Sequence, residues 1–244
     1  PVMPLHIWKN RVIGVANIAS FITGAIMMGV SSFLPTFVQG VMERPPMIAG
    51  FTLAVMSIGW PIASTLAGRL MIRIGFFRTA FMGGVALLIG SILFVTLKPE
   101  YGPVWAGLGS FFIGVGMGFS TTTFVVSIQS SVDWNIRGVA TAANMFMRIL
   151  GSTVGVALMG GILNTQLKRY LLKEGEGMEL PLDLDVANLL LDPKERNLLA
   201  EPVINLLKEG LTISLNSVYW AVFMLACLAL LVILCMPGQK PRSG

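Results

Sequence analysis

The chain has 244 residues, 55% of them hydrophobic and only 12% charged, with a formal net charge of +5. A soluble domain of this size carries about twice that charge fraction, and fifteen of the 29 charges crowd between Lys168 and Glu209, so a water-soluble fold is excluded. The basic residues are spread over several loops with no aromatic interleaving, which also argues against nucleic acid as a partner.

Six tracts are long enough to cross a bilayer, which takes about 20 apolar residues: 12–37, 47–68, 79–97, 103–128, 139–163 and 213–236. Lipid offers no partner to a stray backbone amide, so each span is predicted to be helical and the fold all-α and polytopic. The six spans use most of the chain and leave no room for a separate soluble domain. The chain begins Pro1-Val2-Met3-Pro4, with no initiator methionine and no signal peptide, and is read as a fragment or processed product.

Span one carries Asn17, Ser20, Gly24, Met27 and Ser31 along one face, and Ala16, Ser20 and Gly24 recur every four residues. Span two repeats that small-residue spacing with Gly59, Ala63 and Ala67. Span four has Ala106, Ser110, Gly114 and Gly118, and span five has Gly151 and Gly155. Apolar side chains gain little by leaving lipid for one another, so such stripes predict close helix contacts. Pro35, near the end of span one, and Pro61, inside span two, predict kinks that buried membrane helices tolerate. The "GVGMGF" of span four (Gly114–Phe119) lies mid-span without a preceding strand, so it reads as packing and not as a dinucleotide loop.

Span four also holds Ser120, Thr121, Thr122, Thr123, Ser127 and Gln129. A single hydroxyl in a membrane helix often bonds to the carbonyl one turn back. Together with the polar face of span one, the cluster marks a candidate water-filled path. Span five contains one charge, Arg148, about 15 Å along the helix, and a central arginine costs at least ~2.5 kcal/mol to insert. Thr141, Asn144, Gly151, Ser152 and Gly155 share or flank its face. Two readings stand: an arginine satisfied by carbonyls of a neighbouring helix, or a cation that meets substrate or couples a conformational change. No Asp or Glu lies in any span and the one histidine, His6, precedes span one, so Arg148 is expected to pair with carbonyls, with substrate or with an acid on another polypeptide segment.

The segment 165–211 carries six basic and nine acidic residues. Asp192-Pro193-Lys194-Glu195 has the form of a helix start, with Leu199, Val203, Leu206 and Leu207 on one face. It is expected either to lie on the outer membrane surface or to act as a lid. Cys227 and Cys235, both in span six, read as small apolar residues.

Orientation follows from Lys and Arg in the short loops. The side holding both termini has Lys9, Arg11, Arg69, Arg73, Arg78, Arg137, Lys240 and Arg242 against Asp133 alone, while the opposite short loops balance Arg44 and Lys98 with Glu43 and Glu100. Both termini are therefore expected in the cytoplasm, the protein in the plasma (inner) membrane. There is no P-loop, metal-ligand set or acid/base pair, so no enzyme, no cofactor and no metal site is expected.

Four stretches resemble a known family: "PLHIWKNR" (Pro4–Arg11), "FLPTFVQGVMERPPMIAG" (Phe33–Gly50), "GRLMIRIGFFR" (Gly68–Arg78) and "RGVATAANMFMRILGSTVGVALMGGIL" (Arg137–Leu163). They resemble the C-terminal six helices of a major facilitator superfamily transporter, and more narrowly the 14-helix drug:H+ antiporter-2 multidrug exporters. The resemblance implies that Gly68, Arg73, Gly75 and Arg78 form a conformational-switch loop, although its aspartate position is Ile72 and its next basic position Phe76. It implies that Gly151 and Gly155 belong to an antiporter helix motif, here without its Gly-Pro pair. It further implies a missing N-terminal half bearing the proton-carrying acid, and small-molecule substrate and protons as partners within the lipid bilayer. The reading is a transporter half exporting lipophilic compounds. Arg148 leads the candidate residues, and Asn144, Asn17, Ser20, Thr121 and Thr122 follow along the path. The alternatives are the same scaffold carrying a siderophore, sugar or metabolite, and a non-transporting scaffold subunit.

Overall fold

A computed structural model describes residues 10–175 and 200–237. Six long helices account for nearly all of them: α1 Arg11–Thr36, α2 Pro46–Ile74, α3 Phe76–Val95, α4 Gly102–Ser130, α5 Arg137–Glu174 and α6 Glu201–Leu234. Among the described residues there is no strand. All six helices are long and apolar enough to cross a membrane, which gives the all-α polytopic fold.

The helix ends carry the usual chemical signals. Asn10 caps α1 by accepting the Val12 amide on Oδ1 at 3.0 Å. Prolines sit in the first turn of α2, α4 and α6, where a missing N–H costs nothing. Between α2 and α3 there is no loop, only Gly75 at φ 87°, a left-handed backbone that favours glycine. Its carbonyl accepts from the Thr79 hydroxyl at 2.9 Å, starting α3 at once.

Of the two prolines, Pro61 leaves α2 unbroken from Pro46 to Ile74. Pro35 has a larger consequence. Beyond Thr36 the chain widens into a π-helical turn, Phe37–Val41, in which the Met42 amide reaches back to the Phe37 carbonyl at 3.0 Å.

α1 and α4 run through the middle and touch each other; α5 packs on α1, α2 packs on α4, and α3 and α6 close the opposite side. In their most apolar stretches α1 and α4 are 72% and 67% buried, whereas α2 and α5 are 28% and 22% buried. One end of the bundle is tied by Asn10 Nδ2 donating to the Ser131 carbonyl and by Arg11 Nε donating to the Cys235 carbonyl at 3.1 Å. That joins the start of α1, the end of α4 and the end of α6, and the Gly75 joint adjoins the same core cluster through Met71 and Phe76.

At the other end the helices overshoot the expected spans. α5 does not stop near 163 but continues to Glu174, and α6 starts at Glu201 rather than near 213. The parts of segment 165–211 that are described therefore extend these two helices beyond the apolar spans. Val203, Leu206 and Leu207, expected on a separate amphipathic helix, belong to the first turns of α6. The cause is a leucine ladder: Leu163, Leu167 and Leu171 of α5 share a core with Leu207, Leu211 and Leu215 of α6, all at a four-residue spacing. Asp192–Glu195 and Leu199, the predicted helix start, lie outside the described residues.

Candidate functional site

A buried polar cluster lies in the seam between α1 and α5. Asn144 of α5 donates from Nδ2 to Asn17 Oδ1 at 3.0 Å, to Ser20 Oγ at 2.8 Å and, more weakly, to the Ala16 carbonyl at 3.4 Å. Asn17 and Ser20 are fully buried and Asn144 nearly so. The sequence offers Asn17, Ser20 and Asn144 as lining of a path; the structure brings the three together in one buried helix–helix contact. Two turns along, Ser152 Oγ donates to the Gly24 carbonyl at 3.2 Å and to its own helix at Arg148 O.

Such bonds need the two backbones close, and glycine supplies that. A Cβ on Gly24 would collide with the Arg148 carbonyl, one on Gly151 with the Phe21 carbonyl, and one on Gly155 with the backbone of Ala25. The stripe Ala16, Ser20, Gly24 of α1 thus faces the stripe Asn144, Gly151, Gly155 of α5.

Arg148 sits one turn from Asn144 on this clamped helix. Its backbone carbonyl is pressed against Gly24, which fixes where its side chain starts. The side chain is half-buried and makes no hydrogen bond or ion pair with a described residue. Its neighbours Met145, Phe146 and Ile149 are exposed. A guanidinium at this depth needs a counter-charge or polar ligand from elsewhere.

On α4, Thr121 donates to the Met117 carbonyl one turn back at 2.6 Å and Ser127 does the same to Phe124. Ser120 Oγ and Thr123 Oγ1 are buried without a partner among the described residues. Thr122 is half-buried. None of these residues bonds to the Asn144 cluster, so α4 forms a second polar patch apart from the first.

In the resembled switch loop, Gly75 is the buried joint and Gly68 has open space around it. Arg73 and Arg78 are exposed and form no ion pair among the described residues, as Ile72 in place of an acid leads one to expect. No group of three His, Cys, Asp or Glu able to hold a metal occurs among the described residues.

One feature escaped the sequence reading. At the cationic end a cavity of about 430 Å³ opens between α4 and α5, lined by Gln129, Trp134, Arg137, Thr141 and Met145. Arg137 lies over the Trp134 ring, 5.2 Å from its centroid, and its Nε is sealed from solvent with no described partner. Gln129 Nε2 donates to Thr141 Oγ1 at 3.2 Å across the gap. The signal was present in the i, i+3 spacing of Trp134 and Arg137, which the charge count alone passes over.

The pattern of the Major Facilitator Superfamily matches residues 1–156, well over half of the chain. The chain belongs to the major facilitator superfamily. Among similar proteins, multidrug resistance protein 3 of Bacillus subtilis (strain 168) is 26% identical over 249 residues, covering 100% of this chain and 49% of that protein. Multidrug transporter protein MdtP of the same organism is 28% identical over 166 residues, 68% of this chain and 31% of its own length. The tetracycline resistance determinant of Streptomyces rimosus is 24% identical over 204 residues, 83% of this chain and 54% of its own. This superfamily member thus spans about half the length, or less, of the first two relatives.

Proposed function

We propose that this chain is the C-terminal half of an exporter that moves lipophilic compounds outward in exchange for protons by alternating access. Transport by rocking of two repeats about a midplane site needs no covalent chemistry, so the chain acts as a carrier and not as an enzyme. The observation that carries the reading is Arg148: a mid-membrane cation, rigidly seated through the α1–α5 clamp, with its own ligand still to be supplied. Names of the similar proteins, two of them multidrug proteins, support export of drug-like compounds as the substrate class.

No acid lies within the spans, so the proton carrier belongs to an upstream half. That half docks on the exposed flank of α5, which presents Arg148 and the Arg137 cavity, and on α2, the other poorly buried helix. The end bearing Arg11, Arg69, Arg73, Arg78 and Arg137 faces the cytoplasm, as the positive-inside rule requires. The test is dye efflux from cells carrying the full-length gene. Arg148→Ala is expected to cut efflux at least ten-fold with unaltered membrane yield, and Arg148→Lys to retain part of it; undiminished efflux in Arg148→Ala removes the arginine from the mechanism.

A further inference from the structure

Three irregularities meet at the end of α1 remote from the cationic face. Pro35 has no amide to offer the preceding turn, and the chain then widens into the π-turn Phe37–Val41, of which all but Gln39 is buried. Two residues beyond the turn, Glu43 holds a left-handed backbone at φ 53° unusual for a side chain of this kind, and its carboxylate is paired with Lys208 of α6 at 2.9 Å. Against the first residue of the turn lies Tyr219 of α6, fully buried, its ring 5.9 Å from Phe37 and 5.4 Å from Phe94. Its hydroxyl has no hydrogen-bond partner among the described residues.

A buried hydroxyl left unpaired in a dry core is costly, and phenylalanine would fill the same aromatic slot without that cost. π-turns are rare and concentrate at places that change. A π-turn carries one residue more than the α-helix it interrupts. Drawing that residue back into α register turns the end of the helix by about 100° and shifts it by about 1.5 Å. It also changes which carbonyls lie beside Phe37, next to Tyr219.

We propose that the Pro35–Val41 turn is a register switch in α1, and that Tyr219 is its positioning residue: the hydroxyl is unpaired in the π form and hydrogen-bonds the backbone of α1 in the α form. This rests on the alternating-access reading for its role, since the α form belongs to the other face of the transport cycle. The Glu43–Lys208 pair holds the π form.

The proposal predicts opposite signs for two substitutions in the full-length carrier. Tyr219→Phe removes a bond made only in the α form, and is expected to shift the population about five-fold toward the π form, the weight of one net hydrogen bond. Its melting temperature is expected to stay level or rise. Pro35→Ala restores an amide to the helix and is expected to shift the population the other way. The populations are read by pulsed electron paramagnetic resonance in nanodiscs, with spin labels at Met42→Cys and Asn164→Cys and with Cys227 and Cys235 replaced by serine. Unmoved distances in both variants, or a lower melting temperature for Tyr219→Phe with unmoved distances, overturn the switch. Dye efflux of the parent separates the two readings: opposed shifts in a carrier that effluxes nothing uphold the switch and sink the exporter, whereas normal efflux with fixed distances does the reverse.

Discussion

The α1–α5 and α2–α4 contacts are built on the same scheme and differ in what they hold. In both, glycine lets a neighbouring carbonyl lie where a side chain would stand: Gly24 and Gly151 in the first, Gly59, Gly114 and Gly118 against Phe111, Met56 and Trp60 in the second. The first adds a buried amide cluster around Asn144 and carries the half-buried Arg148. The second has one long cross-helix bond, Ser64 Oγ to the Gly118 carbonyl at 3.4 Å, and beside it an apolar groove of about 550 Å³ lined by Phe51, Val55, Val104 and Phe111. Close backbone approach is therefore the shared packing device, and the buried amide cluster is what sets the α1–α5 seam apart.

The sharpest way to break the comparison is to remove the shared device. Gly151→Leu and Gly118→Leu both drive a side chain into a backbone carbonyl, and overpacking of this kind costs about 1–3 kcal/mol or more. Both are expected to lose most of the monodisperse material in size-exclusion chromatography, while Gly161→Ala, with open space around it, keeps it. Equal behaviour of all three would mean the seams are not glycine-determined. Next comes the feature present on one side only: Arg148→Ala is expected to cut efflux at least ten-fold without altering thermal stability, because no described partner is lost.

A smaller difference separates the polar contents. Asn144→Ala deprives Asn17 and Ser20 of their donor, and membrane hydrogen bonds of this sort contribute about 0.6–2 kcal/mol. Its melting temperature in detergent is expected to fall by several degrees, and that of Ser64→Ala by less than one. A Ser64→Ala loss as large as that of Asn144→Ala would erase the distinction. Smallest is Lys208→Gln at the rim, where a half-exposed ion pair contributes about 0.2–1 kcal/mol. Its effect is expected to vanish at high salt, which a melting series in rising sodium chloride checks.

Much of this was legible beforehand, for physical reasons that also mark the boundary. The six helices follow from apolar length alone, because lipid permits nothing else, and the glycine stripes announce close approach on their own helix. Which stripe meets which was not legible, since a single sequence does not say that α5 lies on α1 and not on α4. Hence the polar face of span one with Asn17 and Ser20, and Asn144 of span five, did not read as one clamp. The early start of α6 was hidden by averaging: Leu207 and Leu211 sit among Lys208 and Glu209, and only the partner leucines of α5 reveal the ladder. Gly75 was found through its motif, yet its left-handed backbone is a property of the joint, with α2 and α3 abutting and no loop between them.

The leucine ladder has a practical consequence for imaging. Residues 164–174 of α5 and 201–211 of α6 form a paired post about 16 Å tall by helix rise, locked by Gly210 against the ring of Tyr170. An antibody fragment raised against that post would share the orientation of the bundle itself.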